Sequence, residues 1–435
     1  MAADREIAEL VERTPLADTH EHLIEESMRL AGTFDQRLLP CDDWSYLLLS
    51  YVKDDLANAG MAPDTERRFF SPDVSTEEKY RLVAPYWERS KHSGYAQAVR
   101  YTLRGLYGED DLTAGSAPRI AEKYRDGIRP GFYGEVLKKA NIETCQVNSL
   151  QRIFMETEQP ELLTQDLSIL PFGRAAPADF AMVAAETGRR PDTLDDWLDI
   201  IDWYFATYGS KAVAVKSQIA YSRPLDFAPV AREQAARLFR HHVGKVAGAH
   251  HPLGPDDLKA LQDFLLRYCV GKAGEYGLPV KLHTGYLAGR DLMQLGRLKN
   301  HASDLCRLLG DFPEVRFVLM HIGYPYQDEF IALAKHYRNA VIDMCWAWII
   351  NPAASVRFLK ELLMAAPTNK VLTFGGDYVA VEPIYGHAVV ARRGIARAVS
   401  ELIGEGWLRR EEAGPLVEAI MRGNAAEMFP KPQIA

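Results

Sequence analysis

Single histidine, lysine and aspartate residues stand at or just past the ends of short apolar runs, and these runs alternate with helical stretches through most of the chain. Ala212-Val213-Ala214-Val215 leads to Lys216, Pro279-Val280-Lys281-Leu282 to His283, Phe317-Val318-Leu319-Met320 to His321, and Val371-Leu372-Thr373-Phe374 to Asp377. Near the start, Leu16-Ala17-Asp18-Thr19 runs into His20-Glu21-His22. Strand residues two apart share a face, so His20 and His22 can converge on one cation. Further strand-like runs lie at 144–147, 167–170 and 341–344, which brings the set to eight. Strands joined by helical crossovers run parallel, and eight of them make an α/β fold, the (β/α)8 TIM barrel. Five strand ends then offer six potential metal ligands at one mouth.

The spacing of Ile7, Leu10 and Val11 predicts a lead helix over 4–13, and helices are expected near 194–208, 230–242, 256–276, 301–310, 325–337, 353–365, 385–404 and 410–428. From about 24 to 132 strand alternation is absent and aromatic-rich helical segments take its place. We read a helical insertion after the first strand, which places it over the barrel mouth. The expected division is 1–23 for the lead helix and first strand, 24–132 for the insertion and 133–435 for the rest of the barrel. Trp44, Tyr46, Tyr51, Phe69, Phe70, Tyr86, Trp87, Tyr95, Tyr101 and Tyr107 are expected mostly to hold the insertion's own core.

The 435 residues suit one barrel of about 250 residues with a sizeable addition. A formal charge of −8 argues against a nucleic-acid partner, which wants clustered Lys and Arg. Five scattered cysteines without a CxxC pair fit a reducing cytoplasm. The polar start Met1-Ala2-Ala3-Asp4-Arg5-Glu6 is unlike a signal peptide, and no apolar run reaches the length of a membrane span.

Neutral imidazoles and carboxylates bind Zn²⁺, Mn²⁺ or Fe²⁺ at about 2 Å, and an open coordination position lets the metal lower the pKa of bound water toward about 7. A nearby carboxylate can take that water's proton and return it to a leaving group, a role for which Asp377 is placed. The set Asp18-Thr19-His20-Glu21-His22, Lys216, His283, His321 and Asp377 resembles, in order and placement, the amidohydrolase superfamily. The run His321-Ile322-Gly323-Tyr324-Pro325-Tyr326, the run Val215 to Tyr221 and the tail Gly423 to Phe429 are similar to the amidohydrolase-2 group. The likeness extends to the amidohydrolase-like part of proteins that fuse such a barrel to glutamine synthetase.

The resemblance implies a divalent metal, zinc first with manganese or iron as the other choices, as one or two ions. It implies that His20, His22 and Asp377 bind the buried metal, that His283 is a further ligand, and that His321 holds a second metal or a substrate oxygen. Lys216 decides between one ion and two. Carbamylated, it bridges two metals; unmodified, it contacts the substrate, as the one-metal sites common in this group favour; a plain salt bridge is the third choice.

Other histidines have blander readings: His92, His241, His301 and His336 as structural residues, His250-His251 as loop decoration, and His387 as a residue at the surface or behind the ligands. Arg174, Tyr221, Arg223, Tyr286, Arg290, Tyr324, Trp346 and Trp348 follow barrel strands and are candidates for the rim, with Glu382-Pro383 shaping the last loop. Cationic and aromatic groups there suit a small anionic substrate. The expected activity is hydrolysis of a small-molecule amide or related C–N bond, or of an ester or lactone, by metal-activated water with Asp377, His321 and Lys216 as catalytic groups. A decarboxylase or sugar-acid isomerase on the same scaffold is the alternative, and a non-catalytic metal-bearing module a second one. Homo-oligomerisation stays open.

Overall fold

The computed structural model describes residues 4–243, 253–290 and 293–432. Its eight strands are β1 (Leu16–Glu21), β2 (Ile142–Val147), β3 (Leu163–Ser168), β4 (Ala212–Ser217), β5 (Val280–Leu282), β6 (Phe317–Leu319), β7 (Ala340–Asp343) and β8 (Val371–Leu372). They pair in parallel and in chain order, β1 through β8. The seam between the two ends closes through backbone hydrogen bonds from Thr19 N to Phe374 O (3.0 Å), Asp377 N to His20 O (3.0 Å) and His22 N to Tyr378 O (2.8 Å). Closure therefore sets His20 and His22 beside Asp377. The (β/α)8 barrel expected from the alternation is the fold found.

Helices cover the strands on the outside and side chains fill the inside, so a strand such as Ala212–Ser217 is buried at every position. Several helical predictions match their elements closely, among them Leu194–Tyr208, opened by a Thr193–Asp196 capping box, and the lead helix Arg5–Arg13, capped by Asp4. The third strand is a correction. It was expected at 167–170 and runs over Leu163–Ser168, while Leu170 already opens a short helix to Arg174 with Pro171 in its first turn. Buried Gln165 and Asp166 break the apolar signal of the true strand, and Asp166 meets Lys281 of β5 inside the barrel at 2.8 Å. The helix Pro177–Thr187 is a further element beyond those expected from the sequence.

The stretch expected as one helix over 410–428 is instead four helical pieces, including a π-helical turn at Ala419–Gly423. The Thr373 hydroxyl donates to the Ile420 carbonyl (2.7 Å) there, so a side chain takes a carbonyl from the ladder.

Between β1 and the helix Phe132–Lys139 lie seven α-helices, from Glu26–Ala31 to Ala117–Gly127. They share a core around Trp44, Leu56, Phe69, Trp87, Tyr107 and Tyr124. Tyr51 departs from this set and packs with the barrel core. Buried Arg29 links this helical region to the long helix Glu382–Gly404, donating to Glu382 (2.7 Å) and to Asp42 (2.8 Å). Gly386 lies directly on the Ala98 carbonyl, where a β-carbon would collide. Among the described residues no helix is long and apolar enough to cross a membrane.

Candidate metal centre and active site

Three acceptor atoms converge at the barrel seam. His20 Nε2 lies 3.3 Å from His22 Nε2, and each lies 3.2 Å from Asp377 Oδ1. Donors about 2 Å from a common cation are about 3.3 Å apart in a tetrahedral shell and about 2.8 Å apart in an octahedral one, so the triangle matches one face of a tetrahedral shell. An outer ring contact fixes the tautomer of His22. His22 Nδ1 is 2.7 Å from the Asn148 carbonyl, which only accepts, so its proton sits there and Nε2 keeps its lone pair. His20 Nδ1 makes no hydrogen bond with a described residue; the Asp166 carboxylate lies 3.9 Å away. Burial, aided by nearby Lys216, lowers the His20 pKa to about 4, so the ring is neutral at pH 7. For Asp377 burial acts upward, but its contacts with His20 and His22 hold the carboxyl well below its ordinary value. Two imidazole nitrogens facing a carboxylate are a donor set that suits a divalent cation, and the residues present fit one.

A second pair stands next to it. His321 Nδ1 is 2.9 Å from the Cys345 carbonyl and His283 Nε2 is 2.8 Å from the Tyr286 carbonyl, so each ring spends its proton on an acceptor. Their remaining nitrogens, His321 Nε2 and His283 Nδ1, face each other at 3.0 Å. Burial lowers the His321 pKa to about 3 and puts His283 well below its ordinary value, so both are neutral acceptors. Ligand atoms of His321, Cys345 and Asp377 also cluster within 4.8 Å, which makes Asp377 common to both groups.

Lys216 is fully buried, with Nζ 3.3 Å from His20 Nε2 and 2.7 Å from Met320 Sδ. It makes no salt bridge within 4 Å among the described residues, which removes the third of its expected roles. Burial lowers its pKa to about 8, bringing the neutral amine within reach at moderately alkaline pH. Three positions of the candidate site, His321 (φ 62°), Trp346 (φ 62°) and Asp377 (φ 68°), adopt left-handed backbone that costs a non-glycine residue about 1–3 kcal/mol.

A cavity of about 410 Å³ is lined by His22, His283 and Asp377, with Tyr221 and Gln218 from the segment after β4 and Leu38, Leu49, Ser50, Tyr51 and Lys53 from the helical region. Of the rim candidates, Tyr221 is in place: its ring lies 4.6 Å from that of His283. Tyr286 contributes its carbonyl to His283, and its ring packs on Tyr324 and Trp346. Trp346 is wholly buried behind the ligands, edge-on to His321 at 5.4 Å.

Five rim candidates are otherwise engaged. Arg174 is held by Asp179 (2.9 Å), buried Arg223 is bound by Asp263, and Arg290 pairs with Glu66 (2.9 Å). Tyr324 meets Asn351 through its hydroxyl at 3.3 Å and does not line the cavity. Trp348 donates to the Thr373 carbonyl (2.7 Å) in the core. His387 is buried between Phe374 and Tyr378, behind Asp377 rather than at the surface, and Glu382 is spent on Arg29. His301 accepts from Gly285 N (3.0 Å), a structural role, and His250-His251 fall outside the described residues.

Sequence reasoning missed Tyr51, whose hydroxyl donates to the Asp377 carbonyl and whose ring stacks on Trp346 at 4.9 Å. It also missed Cys345, Asn148, Gln218 and Lys53. Asn148 follows β2 and Cys345 follows β7 by two residues, so the strand-end rule could have found both; nothing local marks Tyr51 or Lys53.

A family model described as amidohydrolase, of the amidohydrolase-2 group, matches residues 158–431. Protein fluG of Emericella nidulans is 31% identical over 166 residues, which is 37% of this chain but only 19% of that protein. Uronate isomerase from Thermotoga maritima superposes with a TM-score of 0.75 at 15% identity, covering 98% of this chain and 96% of its own. Glucuronate isomerase from Caulobacter crescentus does so with 0.75 at 19% identity, covering 98% and 93%. At such identities these structures share the fold. With the family model matching more than half of its length, the chain belongs to the amidohydrolase family, whose superfamily consists of enzymes that are generally metal-dependent.

Proposed function

We propose that the chain is a hydrolase of a small-molecule amide or related C–N, ester or lactone bond. The observation that carries this is the position of Asp377: Oδ1 faces both His20 and His22 at 3.2 Å, while Oδ2 makes no hydrogen bond with a described residue and the side chain borders the cavity. A divalent cation held by His20, His22 and Asp377, with His283 and His321 alongside, supplies Lewis acidity toward an oxygen in the cavity. The chain's own part is proton handling and orientation. Asp377 Oδ2 takes a proton from the attacking water and delivers it to the leaving nitrogen or oxygen, so water adds across the bond and an acid plus an amine or alcohol leave. The lone pairs of His283 and His321 cannot donate to a developing oxyanion in the neutral state, so donation from this side falls to Lys216 or Tyr221.

A second reading, isomerisation of a sugar acid, draws on the overlay with the two uronate isomerases over 98% of this chain. The largely apolar wall, with Leu38, Leu49, Leu150, Leu170 and Val379, favours the first reading over a sugar. Product analysis on metal-reconstituted protein separates them. Release of an amine or alcohol supports hydrolysis; an aldose-to-ketose change without net water uptake, or release of CO₂, would overturn it. Asp377→Asn should lower turnover by at least about 10³-fold while part of the metal stays bound by the histidines; activity near wild type would remove Asp377 as the proton carrier. Metal content near two equivalents with added mass on Lys216 indicates the carbamate, and near one the unmodified lysine.

A further inference from the structure

Two polar side chains on the cavity wall are left unused by the metal centre. Lys53, on the helix Val52–Asn58, is half-buried and makes no hydrogen bond or ion pair within 4 Å with any described residue; its charge is felt by Asp54, the next residue in the chain, which also faces Arg290. The Gln218 carboxamide also makes no hydrogen bond with a described residue, and its Oε1 is fully buried. Leaving a buried acceptor unpaired costs about 1–3 kcal/mol, a cost that a bound ligand would relieve.

The charge of the wall points one way. Arg37, the other cation lining the cavity, is chelated by Asp35 (2.6 and 3.0 Å), and its charge is compensated. Asp377, the one carboxylate among the described lining residues, is committed to His20 and His22. Lys53 is therefore the cation among the described lining residues that has no ion pair. We propose that Lys53 and Gln218 form a carboxylate subsite. The molecule taken up then carries a carboxylate on Lys53, a neighbouring N–H or C=O on Gln218, which both donates and accepts, and an apolar body along the leucines. This rests on the preceding reading only in taking the cavity as the place where substrate binds.

Acyl amino acids and sugar acids share this chemistry, and calorimetric titration of the metal-reconstituted full chain distinguishes them. The probes are N-benzoylglycine and its neutral amide, then D-glucuronate and D-glucose. N-Benzoylglycine should bind at least about tenfold more tightly than its amide, a preference that Lys53→Met reduces to within about twofold and Lys53→Arg keeps. Gln218→Leu should weaken the acid and the amide together by about fivefold, leaving their ratio intact. A charge preference seen for D-glucuronate over D-glucose in place of the benzoyl pair upholds the subsite and overturns the amide reading. Equal binding within both pairs, no measurable binding of either acid, or a preference that survives in Lys53→Met overturns the subsite itself.

Discussion

Asp377 holds its place through contacts on both sides of a left-handed backbone (φ 68°). Its N–H donates to the His20 carbonyl (3.0 Å) and its carbonyl accepts from the Tyr51 hydroxyl, so strain of about 1–3 kcal/mol is opposed from the barrel and from the helical region together. Tyr51→Phe removes one restraint and keeps the ring stacked on Trp346. Zinc affinity, measured by chelator competition, should fall by about tenfold, the scale of lost outer contacts at metal sites. Tyr95→Phe serves as control, because Tyr95 stacks on Tyr51 (5.2 Å) without reaching Asp377, and should leave the affinity unchanged. An unaltered zinc affinity in Tyr51→Phe would mean that the hydroxyl does not position the carboxylate. The same neighbourhood explains what was legible. His20, His22, His283, His321 and Asp377 were visible because parallel strands put their ends at one mouth. Arg174 and Arg223 obey the same positional rule yet turn to Asp179 and Asp263, since an arginine beside a carboxylate is satisfied locally and sequence order does not show which one it meets. Tyr51 was hidden because its partner lies 326 positions away.

Polar residues inside the barrel also govern what could be read of its elements. Lys281 of β5 donates to Asp166 of β3 (2.8 and 2.9 Å) and to the Thr19 carbonyl of β1 (2.7 Å), tying three strands below the ligands. Asp166 makes β3 look like a loop in sequence, whereas unbroken Ala212–Val215 was recognisable at once. Charges buried this deeply cost much to desolvate, so the pair need not be a net source of stability, but breaking it strands its partner. Lys281→Met should lower unfolding free energy in urea by about 3–5 kcal/mol, and adding Asp166→Leu should restore part of the loss. A double variant less stable than the single one would show instead that the Asp166 carboxylate stabilises the barrel through its other neighbour, His20. Helix boundaries were legible where a cap defines them, as at Thr193. The π turn at Ala419–Gly423 was not, because its cause is Thr373, nearly fifty positions upstream.

For the whole molecule, the proposed metal ligands sit where the first and last strands of the barrel meet. His20 and His22 come from β1 and Asp377 follows β8, so a cation there fastens the seam that three backbone hydrogen bonds close. Ligand bound at about 1,000 times its Kd adds about 4 kcal/mol to stability. For a chain of 435 residues this is a shift in melting temperature of about 4–5 °C. Removing metal should therefore lower the melting temperature by that amount and speed amide exchange at Thr19, His22 and Asp377 more than along β4. The pH dependence follows from the depressed histidines. The unfolded chain binds protons near pH 6.5, whereas burial delays His20 to about pH 4 and His321 to about pH 3 in the folded protein. Stability from these two groups is fully present above pH 6.5 and falls through that window, by up to about 1.4 kcal/mol per group and pH unit. Asp18 and Asp343, raised by burial to about 7 and about 6, act with the opposite sign and soften the fall. The metal-dependent increment in melting temperature should consequently persist at pH 7 and vanish by about pH 4, where protons take the His20 nitrogen. An increment that disappears already at pH 6.5 would place the ligands in contact with solvent and contradict the buried seam site.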